Sequence, residues 1–111
     1  MSFFDSEIVK QELQDIEGLQ KNLTRSVLRY PIMSKEEKLE HVKLLSDLLE
    51  KQKILFTRMS LSDDPKAIET KERMIESTKL LGYGSPEDMS AVFNNMQKVV
   101  ERLKKEAEVD L

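Results

Sequence analysis

A histidine, paired carboxylates, a glycine turn and a basic run are the parts of this sequence that could carry chemistry. His41 is the only histidine, and Glu37 stands four residues before it. Residues four apart share a helix face, so the two could grip a divalent ion together. Di-iron bundles use Glu-x-x-His, however, and the residue three before His41 is Lys38. The spacing points to an exposed histidine paired with Glu37, and to no metal. Glu36, Glu37 and Glu40 form one acidic run and Asp63-Asp64 another. A calcium loop alternates oxygen ligands about a central glycine, which neither run does; complementation of helix N-termini accounts for both. Gly82-Tyr83-Gly84-Ser85 lacks the preceding strand and remaining positions of a phosphate loop, and reads as a turn. Lys98, Arg102, Lys104 and Lys105 are interleaved with Glu101, Glu106 and Glu108, the pattern of a solvated face. Met59, Met74, Met89 and Met96 sit at helical spacing, which suits core packing better than an adaptable binding groove.

The elements that must position these residues are helices. The 111 residues suffice for one core and not for two. Charged residues make up 35%, apolar 39% and aromatic 5%, with three glycines and three prolines, a composition of long helices and coiled coils. So low an apolar fraction in a small chain favours self-association as a source of buried area. Formal net charge is −3, and residues 1–60 carry ten charges of each sign. Neither half has the basic excess that neutralises phosphates, so nucleic acid and anionic membrane surfaces are not expected partners. No cysteine is present, which fits a reducing cytoplasm. No apolar run reaches the roughly 20 residues of a spanning helix, and no signal-peptide pattern appears.

Caps and stripes predict a single helical domain over 1–111, with helices at 6–29, 35–59, 65–81 and 86–107. Asp5 is read as the first N-cap, with Phe4 and Val9 as a hydrophobic staple. Val9, Leu13, Ile16, Leu23, Val27 and Tyr30 then recur in steps of four and three, Gln20 filling the one missing slot. Gly18 weakens this helix by roughly 1 kcal/mol against alanine, and Pro31 stops it. Ser34 and Glu37 form a capping box for the second helix. Its stripe is Val42, Leu45, Leu49, Phe56 and Met59, interrupted by Gln52. Asp64 and Pro65 open a thinner third helix as N-cap and first residue, with Gly82 as its C-cap. Ser85 and Pro86 open a fourth, whose broad face holds Met89, Val92, Phe93, Met96, Val99, Val100, Leu103 and Ala107. The fold class is all-α: a long antiparallel hairpin of helices one and two, with two further helices against it, bundle-like and completed by self-association.

Gln20 and Gln52 each sit within an apolar seam, where a polar residue either fixes register and oligomer order or lies at the seam's wet edge. With Phe4 engaged in the staple, Phe3 is a second ring at the chain's start that a partner would have to cover. The expected contact residues are Phe3, Phe4, Gln20, Leu45, Leu49, Gln52 and Phe56. Together they indicate a non-catalytic protein–protein interaction module, an adaptor or small regulator, without cofactor or metal. Its expected partners are a second copy, as a dimer, and another protein. The alternative is a metal- or small-ligand-binding enzyme in a bundle core, with Gln20, Gln52 and His41 as inward polar groups.

Phe3-Phe4-Asp5-Ser6-Glu7-Ile8-Val9, Leu61-Ser62-Asp63-Asp64 and the closing pattern of Met89, Met96, Arg102, Leu103 and Glu106 carry a family resemblance. Over nearly its whole length the chain resembles a family of small uncharacterised helical proteins of cyanobacteria and their phages, a domain of unknown function. Residues 26–35 depart from the family pattern, which has more glycine there. The resemblance implies a cytoplasmic protein of such a bacterium or phage-infected cell, and no catalytic or binding residues.

Overall fold

The caps and stripes place four α-helices. In the computed structural model, which describes residues 2–80 and 89–109, α1 spans Glu7–Ser26, α2 Lys35–Ser60, α3 Pro65–Leu80 and α4 Ser90–Glu108. The fold is all-α, and the described residues contain no strand. The Ser34–Glu37 capping box is present: the Ser34 hydroxyl accepts the Glu37 N–H at 3.2 Å, and the Glu37 carboxylate accepts the Ser34 N–H at 3.1 Å. Asp64 caps α3 by accepting the Lys66 N–H at 3.0 Å. The glycine turn at 82–84 and the caps at Ser85 and Pro86 lie outside the described residues.

Two boundaries of the first helix differ from expectation, and α4 begins at Ser90 with Met89, expected inside the helix, as its N-cap. Asp5 is not the cap of α1; Ser6 is. Asp5 instead closes a short 3-10 turn, Phe3–Asp5, by accepting bonds from the Ser2 hydroxyl at 2.9 Å and the Ser2 N–H at 3.3 Å. A nearer donor pair takes the carboxylate that the sequence assigns to the helix. The α-helix also ends at Ser26 rather than 29, tightening into a 3-10 segment, Val27–Ile32, that runs through Pro31. Tyr30, preceding the proline, disfavours the α conformation. Upstream, the Ser26 hydroxyl lies 3.2 Å from the Asn22 carbonyl and 3.4 Å from that of Leu23, competing within the last turn.

Packing is organised around α2, which meets α1, α3 and α4, while α1 and α4 barely touch each other. Helices α1 and α2 run antiparallel: Glu12 pairs with Arg58 at 2.8 Å, Asp15 with Lys51 at 3.6 Å, and Ser26 bonds His41 at 3.1 Å. Rising numbers on one helix meet falling numbers on the other. The radius of gyration is 15.8 Å, against about 13 Å for a compact domain of this length. Among the described residues no helix is long and apolar enough to cross a membrane.

Two buried clusters result. One joins Leu49, Phe56, Met59, Ala67, Met89, Val92 and Phe93; the smaller joins Val9, Ile16 and Leu55. Phe3 and Phe4 pack against both clusters. Their rings meet edge to face at 5.0 Å. Phe3 is therefore not the uncovered ring the sequence suggested. It is half-buried within its own chain, and its N–H donates to the Asp64 carboxylate. The phenylalanine pair stitches the hairpin cluster to the α2–α3–α4 cluster.

Two substitutions test this account by urea denaturation. Gly18 is helical, exposed and has nothing within 4 Å of an added Cβ, so Gly18→Ala should stabilise by about 0.5–1 kcal/mol. Phe4→Ala removes a half-buried ring shared by both clusters and should cost about 2 kcal/mol, roughly half the cost for a fully buried ring.

Candidate functional site

Leu45, Leu48, Leu49 and Gln52 follow one another at helical spacing on α2, and Asn95, Met96, Val99, Val100 and Leu103 do so on α4. Together they line a groove of about 390 Å³ between the two helices. Aliphatic and thioether groups make its walls, with the amides of Gln52 and Asn95 as the polar side chains. Leu49 is buried at its base, whereas Val99 on its rim is 47% exposed.

The hairpin has two unlike sides. On α1, Glu12 and Asp15 fall on one side of the Val9–Ile16–Leu23 line; on α2, Arg58 and Lys51 fall on the matching side of Leu48 and Leu55. Their ion pairs lace that side. Leu13 and Gln20 of α1, and Leu45 and Gln52 of α2, share the opposite side, where the groove opens. Apolar side chains are therefore concentrated where no pair of α1–α2 charges has to be broken to cover them.

Three of the seven residues expected at a contact surface, Leu45, Leu49 and Gln52, come together here. Phe56 lies one turn beyond, buried against Phe93 with ring centroids 5.8 Å apart. Phe3 and Phe4 belong to the two cores. Gln20 is exposed on α1, at the wet edge of its seam, while Gln52 is half-buried. The α4 wall was missed as a site. Its signal was the width of the α4 apolar face, eight residues where contact with one neighbouring helix needs fewer.

Several titratable groups make defined structural contacts. His41 is buried, not exposed beside Glu37, because it sits on the side of α2 that meets the end of α1. Its Nδ1 shares a hydrogen bond with Ser26, and its ring lies 5.2 Å from that of Tyr30. Glu37 is already engaged by Ser34. Burial holds the His41 imidazole below its ordinary value of 6.5. Hydrogen bonds lower the carboxyls of Asp5 (from Ser2), Glu37 (from Ser34) and Asp64 (from Phe3 and then Lys66). Ser26 and His41 have the residue types of a nucleophile–base pair, but the hydroxyl is shared with the helix carbonyls and tethers α1 to α2. Among the described residues no three His, Asp or Glu side chains are grouped to hold a metal ion. Lys98, Arg102, Lys104 and Lys105 are all exposed.

The family model described as a domain of unknown function, DUF1825, matches residues 1–107. No curated protein and no solved structure matches the chain.

The buried imidazole sets a pH dependence. Between the lowered value of folded His41 and 6.5, the unfolded chain binds more protons, so stability is complete above 6.5 and declines as pH falls through that window. The urea midpoint should drop from about pH 7.5 to about pH 5.5 in the wild type, and His41→Gln should remove most of that drop. Equal slopes in both proteins would refute the assignment. The depressed carboxyls act in the same direction but lower, in the ordinary carboxyl range.

Proposed function

We propose that the chain, which belongs to the DUF1825 family, is a non-catalytic helical interaction module, an adaptor or small regulator, whose α2–α4 groove receives the apolar face of a helix. The observation that carries this reading is the groove itself: a helix-long row of apolar side chains on two adjacent helices, left open on the side free of α1–α2 ion pairs. Helix-in-groove recognition uses such rows, with anchors spaced three, four and seven residues apart. Gln52 and Asn95 add hydrogen bonds that fix orientation without titrating. A cytoplasmic setting, in a photosynthetic bacterium or a cell infected by its phage, accompanies this reading; the absence of cysteine supports the reducing compartment.

A second reading is a small-ligand site, favoured by size alone, since about 390 Å³ falls in the range of ligand pockets. As enzyme chemistry it would need an acid, a base or a nucleophile at the groove, and the side chains lining it are aliphatic, thioether or amide. A small molecule retained by the wild type in native mass spectrometry would favour it.

Val99→Arg separates docking from folding, because the side chain is half-exposed on the rim. In affinity purification from cells that naturally contain the chain, the wild type should carry a stoichiometric polypeptide. The variant should lose it with helicity unchanged. Equal recovery by both would reject the groove as the docking site.

A further inference from the structure

We infer that the groove's occupant is a second copy of this chain, the two α4 helices packing antiparallel about a two-fold axis beside Val99. This rests on the docking reading above and names its partner.

Surface area supplies the first argument. The chain exposes 7882 Å² at a mass of 12.9 kDa. A compact monomer of that mass exposes about 6,300 Å². The excess, roughly 1,600 Å², is about twice the ~800 Å² that each partner contributes to a standard interface. A stable symmetric dimer therefore needs only part of what this chain leaves open.

Symmetry supplies the second. When two antiparallel helices are related by a two-fold axis, the axis crosses the middle of their contact, and each residue before it meets one equally far beyond it. Helix α4 spans Ser90–Glu108, so Val99 is its midpoint. Its other groove residues fall two on each side of that point, Asn95 and Met96 before it and Val100 and Leu103 after it. The contact thus centres where an antiparallel pair requires. Across the axis Asn95 meets Leu103 of the second copy, each four residues from Val99, and Met96 meets Arg102, each three residues from it. Arg102 thereby stands within one residue of Asn95, whose amide oxygen can accept from its guanidinium.

The chain has no cysteine, so Val99→Cys introduces a single thiol at the proposed axis. Light scattering of the wild type at micromolar concentration should give twice 12.9 kDa. Mild oxidation should link Val99→Cys into a covalent dimer, since thiols at a two-fold axis come within disulfide reach. Leu28→Cys, 89% exposed on the 3-10 segment, should stay unlinked, and Val99→Arg should give the monomer mass. A wild-type monomer overturns the inference. So does a dimer that links through Leu28→Cys and not through Val99→Cys. A monomer that still loses a co-purified protein on Val99→Arg leaves the docking reading in place and removes only the second copy as occupant.

Discussion

One helix has to serve three neighbours. The 26 residues of α2 form a rod of about 39 Å, and α1, α3 and α4 each find their main helical contact along it. A helix has a limited circumference, so its sides are shared out. Leu48 and Leu55 go to the hairpin, Leu49, Phe56 and Met59 to the second core, and Lys51 and Arg58 to the ionic side. Leu45 and Gln52 remain between α1 and α4, which do not close over them. The open groove follows from this division, because a further helix, a fourth neighbour of α2, would be needed to complete the layer. The surplus of exposed area and the elongated shape are further consequences.

Local hydrogen bonding was largely legible in the sequence. The Ser34–Glu37 box and the Asp64–Pro65 start are settled within one turn, by groups whose partners are fixed by sequence distance. The same logic failed at Asp5, where Ser2 offered a closer match, and at Ser26, where a hydroxyl inside the last turn ended α1 early. His41 was misread because periodicity shows which residues share a face and not which face a neighbour will cover. Leu44 and Leu48 flank the histidine at helical spacing, and the end of α1 lands there. In the groove, the α2 half could be found as a stripe with a polar gap. The α4 half could not, because an unusually broad apolar face does not tell which part is left over.

Of the stretches that carry the family resemblance, the opening Phe3–Val9 and the Leu61–Asp64 connection lie far apart in the chain and meet in space. Phe3 donates to Asp64, and Phe3, Val9, Leu61 and Ser62 line one shallow depression at that end of the hairpin. Their pairing gives both stretches a structural role. Two rings cross from one core to the other, and a carboxylate that already caps α3 fixes the backbone that presents them. The most distinctive residues of the sequence thus lie at a joint rather than at the groove.

That joint also closes a long loop. The Phe3–Asp64 bond spans 61 positions, and closing so long a loop has a large entropic cost unless intermediate structure has already shortened it. The Asp64 carboxylate is in reach of Phe3 only where the hairpin and the first turn of α3 bring it there. The opening residues are a fastener between two cores: Val9, Ile16 and Leu55 of the hairpin cover one side of the phenylalanine pair, while the Asp64 carboxylate and the second core, reached only 61 positions later, complete its surroundings.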